Sequence, residues 1–216
     1  MINKINFGYR MDVLETIIRD EQTSLEDLRM ALFQLGEAMG DEILGIKNTT
    51  IKNIKTPMKL WFRGKKLKQT NPELTIVIST KDDYQYFARG ISSNFKLIYQ
   101  GWMDFNGVRG ALAYSNSFRS VEFPQIPTGS KVKRVIIAKS VIASGCTAIT
   151  LAKKARDEYY PEELIIVAPF YSQKGIDELN AELNPTDIFV AFGPDELDDQ
   201  GLLIPGVGNL DKRLIG

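Results

Sequence analysis

Apolar residues along this chain follow two rhythms, and the alternation between them predicts the architecture. Near-continuous runs of β-branched and aromatic residues occur at Leu74–Thr80 (LTIVIST), Phe95–Gly101 (FKLIYQG), Arg134–Ala138 (RVIIA), Glu163–Ala168 (ELIIVA) and Asp187–Ala191 (DIFVA). Runs without polar alternation suit strands covered on both faces, as in a parallel sheet with helices above and below. Stretches with helical spacing lie between several of them, at Lys81–Ser92, Thr147–Glu158 and Ser172–Leu183. Strand–helix alternation of this kind predicts an α/β fold with a doubly wound, mainly parallel sheet.

The amino-terminal third reads differently. Ser24 is a plausible N-cap with Asp27 three residues on, and Leu25, Leu28, Leu32, Leu35, Met39 and Ile43 then recur near helical spacing, predicting a helix over 24–44. Its apolar stripe is expected to pack on a sheet or a partner subunit. Residues 48–70 mix Ile, Thr, Lys, Trp61 and Phe62, with Pro57 and Gly64 as breakers, and read as short strands or an arm. One domain over 1–216 is expected, with a helix and arm to about residue 70 and a core from about residue 71.

Charge changes the picture only locally. Lys plus Arg and Asp plus Glu are 27 each, so the net charge of zero exerts no overall pull on nucleic acid or an anionic membrane. Between Lys47 and Gln69, however, stand Lys47, Lys52, Lys55, Lys59, Arg63, Lys65, Lys66 and Lys68 with no acidic residue. That run reads as the solvated face of a hairpin or as an anion-contacting or RNA-contacting patch. Cys146 is the one cysteine, which excludes an internal disulfide, and the absence of histidine removes Ser-His and Cys-His pairs and histidine metal sites. No apolar run approaches a membrane span and the start lacks the apolar core of a secretory signal, so a cytoplasmic protein is expected.

Candidate chemistry concentrates where the strand Val135–Ala138 runs toward Ala143-Ser144-Gly145-Cys146-Thr147-Ala148 and a helix. Small residues let backbone N–H groups approach an anion, the helix head adds about half a positive charge, and Ser144 and Thr147 add hydroxyl donors. A phosphate site is expected there; the alternative is an ordinary strand-to-helix join. Cys146 in such a loop is either a thiol of lowered pKa or a packing residue, and no histidine is present to act as its base.

Several segments in order carry a resemblance. Lys139-Ser-Val-Ile-Ala-Ser-Gly-Cys-Thr147 resembles the phosphoribosyl-pyrophosphate loop of the uracil phosphoribosyltransferases, typically D-P-M-L-A-T-G-G-S. Gly201-Leu-Leu-Ile-Pro-Gly-Val-Gly-Asn-Leu-Asp-Lys-Arg213 is similar to the family's uracil-holding G-Y-I-I-P-G-L-G-D-A-G-D-R. An early helix, Ile17–Arg29, resembles L-M-R-E-Q-D-I-S-T-K-R-F-R, and Val167–Gly175 corresponds to V-A-A-P-E-G with a few extra residues. The resemblance implies the type I phosphoribosyltransferase fold with an amino-terminal helix and a β-arm or hood, and a homodimer; the apolar stripe of helix 24–44 and the 48–70 arm are candidates for its interface, the stripe equally suiting intrachain core. It implies phosphate or phosphoribosyl-pyrophosphate contacts at Lys139, Ala143, Ser144, Gly145, Cys146, Thr147, Ala148 and Asn209, and a pyrophosphate contact near Lys81. Uracil contacts are implied at Leu203, Gly208, Asn209 and Leu210, largely through backbone groups that match a pyrimidine edge. No catalytic residue and no protein metal ligand is assigned; magnesium is expected with an active enzyme.

The departures fall on groups that handle charge. Lys139 stands where the family has an acid, neutral Asn209 where an acid follows the last glycine, and Ser79–Tyr84 where an L-R-A-G-L stretch supplies arginine. Asp104 stands near a second arginine position, and Arg89 or Arg109 in a shifted register would restore a cation. Exchanging a cation for a carboxylate beside a polyphosphate replaces an attraction worth about 1.5–3 kcal/mol by a repulsion. Three readings follow: a divergent protein that binds a nucleotide, phosphoribosyl group or other anion with transfer weak or lost; an active enzyme making uridine monophosphate and pyrophosphate from uracil and phosphoribosyl pyrophosphate; or an RNA- or protein-binding module using the basic segment 47–68.

Overall fold

The computed structural model describes residues 1–5, 8–67, 73–105, 118–184 and 186–215. In chain order its strands are β1 (Ile2–Lys4), β2 (Thr49–Lys55), β3 (Trp61–Leu67), β4 (Thr75–Thr80), β5 (Ile98–Phe105), β6 (Phe118–Glu122), β7 (Arg134–Ala138), β8 (Val141–Ile142), β9 (Glu163–Ser172), β10 (Asp187–Leu197) and β11 (Leu203–Ile204). The helices are α1 (Tyr9–Arg19), α2 (Leu25–Asn48), α3 (Lys81–Asp83), α4 (Arg89–Ser92), α5 (Cys146–Tyr159), α6 (Gln173–Leu183) and α7 (Leu210–Ile215), with a π turn, Tyr84–Ala88, joining α3 to α4.

The main sheet runs β1-β10-β9-β7-β4-β5-β6, with β8 paired to β9 and β11 to β10. From β1 to β5 every neighbour is parallel, and β6 closes the far edge antiparallel to β5. This is the expected doubly wound sheet. Alternate residues of each strand serve opposite faces, as the two-residue period requires. On β7, Ile136 and Ala138 join α1 and α2 in one core, whereas Val135 and Ile137 join α5 and α6 in the other.

The topology fixes where a ligand can enter. From β4 the chain crosses to β5 on one side; from β7 it crosses to β9 and then β10 on the other. Connections diverge at the β4/β7 pair, so their carboxyl ends open a crevice that helices do not cover, the usual binding position in such sheets.

Several expectations need correction. The early helix expected over Ile17–Arg29 is two helices: α1 stops at Arg19, where Asp20 turns extended and its carboxylate accepts the Gln22 amide, and α2 starts after the Ser24 cap. The stripe Leu28, Leu32, Leu35, Met39 and Ile43 is buried against the chain's own core, so it is not a surface for a second subunit. Strands β9 and β10 continue to Ser172 and Leu197, beyond the expected ends. The segment 48–70 is a hairpin in which β2 and β3 pair from Thr49↔Leu67 to Lys55↔Trp61; Lys68 and Gln69 lie outside the described residues. Met58, Leu60 and Trp61 at its tip are 80%, 69% and 74% exposed.

Candidate phosphate and nucleobase site

At the end of β7 the chain reaches Lys139 and Ser140, makes the short β8 against Phe170 and Tyr171, and turns into α5 through Ala143–Gly145. Gly145 is in the left-handed region at φ 80°, a conformation that costs glycine little, and no side chain caps the helix. The early amides of an α-helix have no carbonyl within it, so Thr147 and Ala148 present N–H groups at the positive end of the α5 dipole.

Close packing holds this loop. The Ser172 hydroxyl donates to the Ala143 carbonyl at 2.5 Å and accepts the Gly175 amide at 2.9 Å. A Cβ on Gly145 would lie 2.9 Å from the Gly175 carbonyl oxygen, and one on Gly175 only 2.4 Å from that of Ala143. Two glycines thus bring the head of α6 against the loop. Cys146 is buried, with its thiol donating to the Ser144 carbonyl, which fits a packing role.

The second wall comes from the carboxyl-terminal turn. Arg19 donates to both carboxylate oxygens of Asp195, at 2.8 and 3.1 Å, and to the Gly206 carbonyl at 2.8 Å, while Asp195 accepts the Gly206 amide. Gly206 has φ 62°, and a Cβ there would lie 2.0 Å from the Leu203 carbonyl oxygen. Arg213 reaches back to the carbonyls of Ile18, Asp20 and Val207. Asn209 accepts the Lys212 amide with its side chain, so it caps α7.

Between these walls lies a cleft of about 650 Å³ lined by Lys139–Ala148, Lys174, Leu197–Leu203 and Val207–Asp211. It therefore collects the expected Lys139, Ala143, Ser144, Gly145, Cys146, Thr147, Ala148, Leu203, Gly208, Asn209 and Leu210 into one site. The volume falls within the ordinary range for small-molecule sites. Ser140 on its wall is 1% exposed, and its hydroxyl has no partner among the described residues, leaving a buried donor for a ligand.

Loop, helix head and carboxyl-terminal turn thus meet at one sheet crevice. Residues 114–216 match the family profile of uracil phosphoribosyltransferase. Curated uracil phosphoribosyltransferases from Haloarcula marismortui and Methanococcus maripaludis are 27% and 24% identical over 202 and 209 residues, covering 92% and 96% of this chain and 88% and 86% of theirs. The carboxyl-terminal part of the chain thus matches the uracil phosphoribosyltransferase profile, and most of the chain is similar to curated enzymes of that name. Among solved structures, a protein from Aquifex aeolicus is similar with TM-score 0.75 at 22% identity, covering 99% of this chain and 97% of its own. An adenine phosphoribosyltransferase from Trypanosoma brucei, solved with AMP, pyrophosphate and ribose-5-phosphate, follows with TM-score 0.51 at 11% identity, covering 88% of this chain and 83% of its own. The fold is that of the type I phosphoribosyltransferases.

Against that family pattern, the altered charges have partners. Lys139 Nζ lies 2.5 Å from Asp83 Oδ2, both side chains being largely buried. Burial alone would lower the Lys139 pKa, but Asp83, with Asp211 and Asp82, outweighs it and raises it, so the ammonium stays charged. Lys81 does not line the cleft; it pairs with Asp104 at 3.6 Å and lies over the Trp102 ring. Arg89 is exposed on α4 away from the cleft wall, and Arg109 lies outside the described residues. Sequence reasoning missed Asp83, Arg19 and Asp195, whose roles depend on partners distant along the chain, and missed Lys174 and Asp198–Gly201 on the cleft wall.

No helix among the described residues is long and apolar enough to cross a membrane. Among them, too, no three carboxylate, imidazole or thiol groups converge to hold a metal ion. Magnesium carried on substrate phosphates would need only one or two carboxylates, and Asp211 lies on the cleft wall.

Proposed function

We propose that the cleft holds a phosphoribosyl group, its 5-phosphate on the amides at the head of α5 and a uracil ring against Val207–Leu210, and that the protein acts as a uracil phosphoribosyltransferase. The reaction joins uracil to phosphoribosyl pyrophosphate to give uridine monophosphate and pyrophosphate. The observation that supports it most is the meeting of loop and tail: Ser144–Ala148 and Val207–Leu210, far apart in sequence, line one cleft at the β4/β7 crevice. The names of the curated relatives point the same way. Formation of labelled uridine monophosphate from labelled uracil and phosphoribosyl pyrophosphate with magnesium tests the proposal. Thr147→Val is expected to lower that rate by about tenfold or more, as loss of a positioned phosphate donor does. Absence of turnover would defeat the transferase reading, and absence of uridine monophosphate binding as well would defeat the site.

A second reading, nucleotide binding with little transfer, is favoured by the Lys139–Asp83 pair, which reverses the sign of the first loop position relative to the family. Retained uridine monophosphate binding without uracil incorporation distinguishes it. For the assembly we propose a homodimer in which the exposed tip of the β2–β3 hairpin takes part; sedimentation of the intact chain and of a Trp61→Ser variant checks this.

A further inference from the structure

Three hydrogen-bond donors at the carboxyl ends of β4 and β7 converge on one carboxylate. Asp83 Oδ2 accepts from Lys139 Nζ at 2.5 Å, from the Thr80 hydroxyl at 3.0 Å and from the Ser140 amide at 3.3 Å. An ammonium, a hydroxyl and a backbone amide around one point form the usual equipment of an anion subsite. Here the anion belongs to the chain itself: Asp83 is 3% exposed and is delivered by the helical turn that follows β4.

This filled nest adjoins the phosphate cradle, because Lys139 and Ser140 line the same cleft as Ser144–Ala148. More negative charge surrounds it. Asp211 stands on the cleft wall, and Asp82 neighbours Asp83; desolvation, then Asp211, raises the Asp82 carboxyl above its ordinary value, with Lys139 opposing and Asp83 and Asp104 adding to the rise. A second anionic group on a ligand would find the donors engaged and carboxylates close by. Lys139, on the cleft wall, can serve it only while its charge is shared with Asp83.

We propose that Asp83 is a specificity-determining residue: it occupies the second anion subsite, so the cleft prefers ligands with one phosphate, such as a nucleoside 5′-monophosphate or ribose 5-phosphate, over those carrying a pyrophosphoryl group. The inference rests on the reading of Ser144–Ala148 as a phosphate site. It orders affinities and holds whether or not transfer is fast.

Calorimetry of the full chain with uridine monophosphate, ribose 5-phosphate, phosphoribosyl pyrophosphate and inorganic pyrophosphate, each with and without magnesium, tests it. Unaltered protein is expected to bind uridine monophosphate about tenfold or more tighter than either pyrophosphoryl ligand, and Asp83→Ala to gain about tenfold for pyrophosphate with little change for uridine monophosphate. Since Asp83→Ala leaves a buried ammonium unpaired, Asp83→Asn, which keeps the volume, and Asp82→Asn, on an exposed position, serve as further variants; both should shift preference in the same direction by a smaller factor. Equal affinity of the unaltered protein for uridine monophosphate and phosphoribosyl pyrophosphate overturns this inference alone, as does an equal effect of the Asp83 changes on both. Failure of every phosphate ligand to bind overturns the cradle reading and this inference with it.

Discussion

Gly175 has no room for a methyl group, and the reason lies across the cleft wall. With its Cβ position 2.4 Å from the Ala143 carbonyl oxygen, Gly175→Ala must push α6 and the loop apart. Overpacking of this kind costs about 1–3 kcal/mol of stability. The displaced loop also misaligns its amides, so uridine monophosphate affinity, measured by calorimetry, is expected to fall by about tenfold or more while the protein stays folded. The loop was legible in the sequence because Ser144, Gly145 and Thr147 are small residues between a buried strand and a helix, a purely local pattern. Asp83 was not legible: its partner Lys139 is brought near only when β4 and β7 lie side by side. The same holds for Arg19, whose grip on Asp195 and Gly206 spans nearly the whole chain.

Helices α2 and α4 touch backbone to backbone. A Cβ on Gly36 would lie 2.2 Å from the Phe87 carbonyl oxygen and one on Gly90 only 2.1 Å from that of Phe33, so neither helix can carry even alanine at the crossing without moving. Gly90→Ala is expected to lower unfolding free energy by about 1–3 kcal/mol or more, read as a lower denaturant midpoint. The apolar repeat that predicted α2 did mark its buried side, since Leu28, Leu32 and Leu35 are all essentially inaccessible. The start of α2 at the Ser24 cap was legible, but the end of α1 was not, because it rests on backbone turning at Asp20, with no proline or glycine to announce it. The β2–β3 hairpin keeps the composition that drew notice: Lys52, Lys55, Arg63, Lys65 and Lys66 lie on two paired strands with Trp61 and Phe62 exposed. If this ribbon contacts RNA, retention on a labelled single strand will weaken steeply with salt and be lost in Lys65→Glu/Lys66→Glu; retention insensitive to salt excludes that role.

For the molecule as a whole, alkaline pH is the informative stress. The Tyr159 hydroxyl donates to the Pro124 carbonyl at 2.9 Å and its ring stacks on Phe123; burial, then the Glu158 charge, pushes its pKa well above the ordinary value. An unfolded tyrosine ionises near about pH 10, so this contribution is complete below that pH and is lost as pH rises from there toward the folded value. Lys139, whose pKa is also raised, adds stability that is complete below its unfolded value and lost as pH climbs through its folded one. Thermal melts should therefore show stability falling above about pH 10, and Tyr159→Phe should flatten part of that fall while costing about 1 kcal/mol at neutral pH.

Strand positions were readable from apolar runs because the central residues of β4, β7, β9 and β10 are buried, whereas strand order was not, since any of these runs could neighbour any other. That order has a further bearing on how such a chain can change. Thr80 ends β4, and Lys139 and Ser140 directly follow β7, on stems packed between two cores. Letters at these tips can be rewritten, acid for base and base for acid, while the stems keep their places. Under the phosphate reading, the framework thus fixes the address at which an anion would be received and leaves open how many charges it must bring.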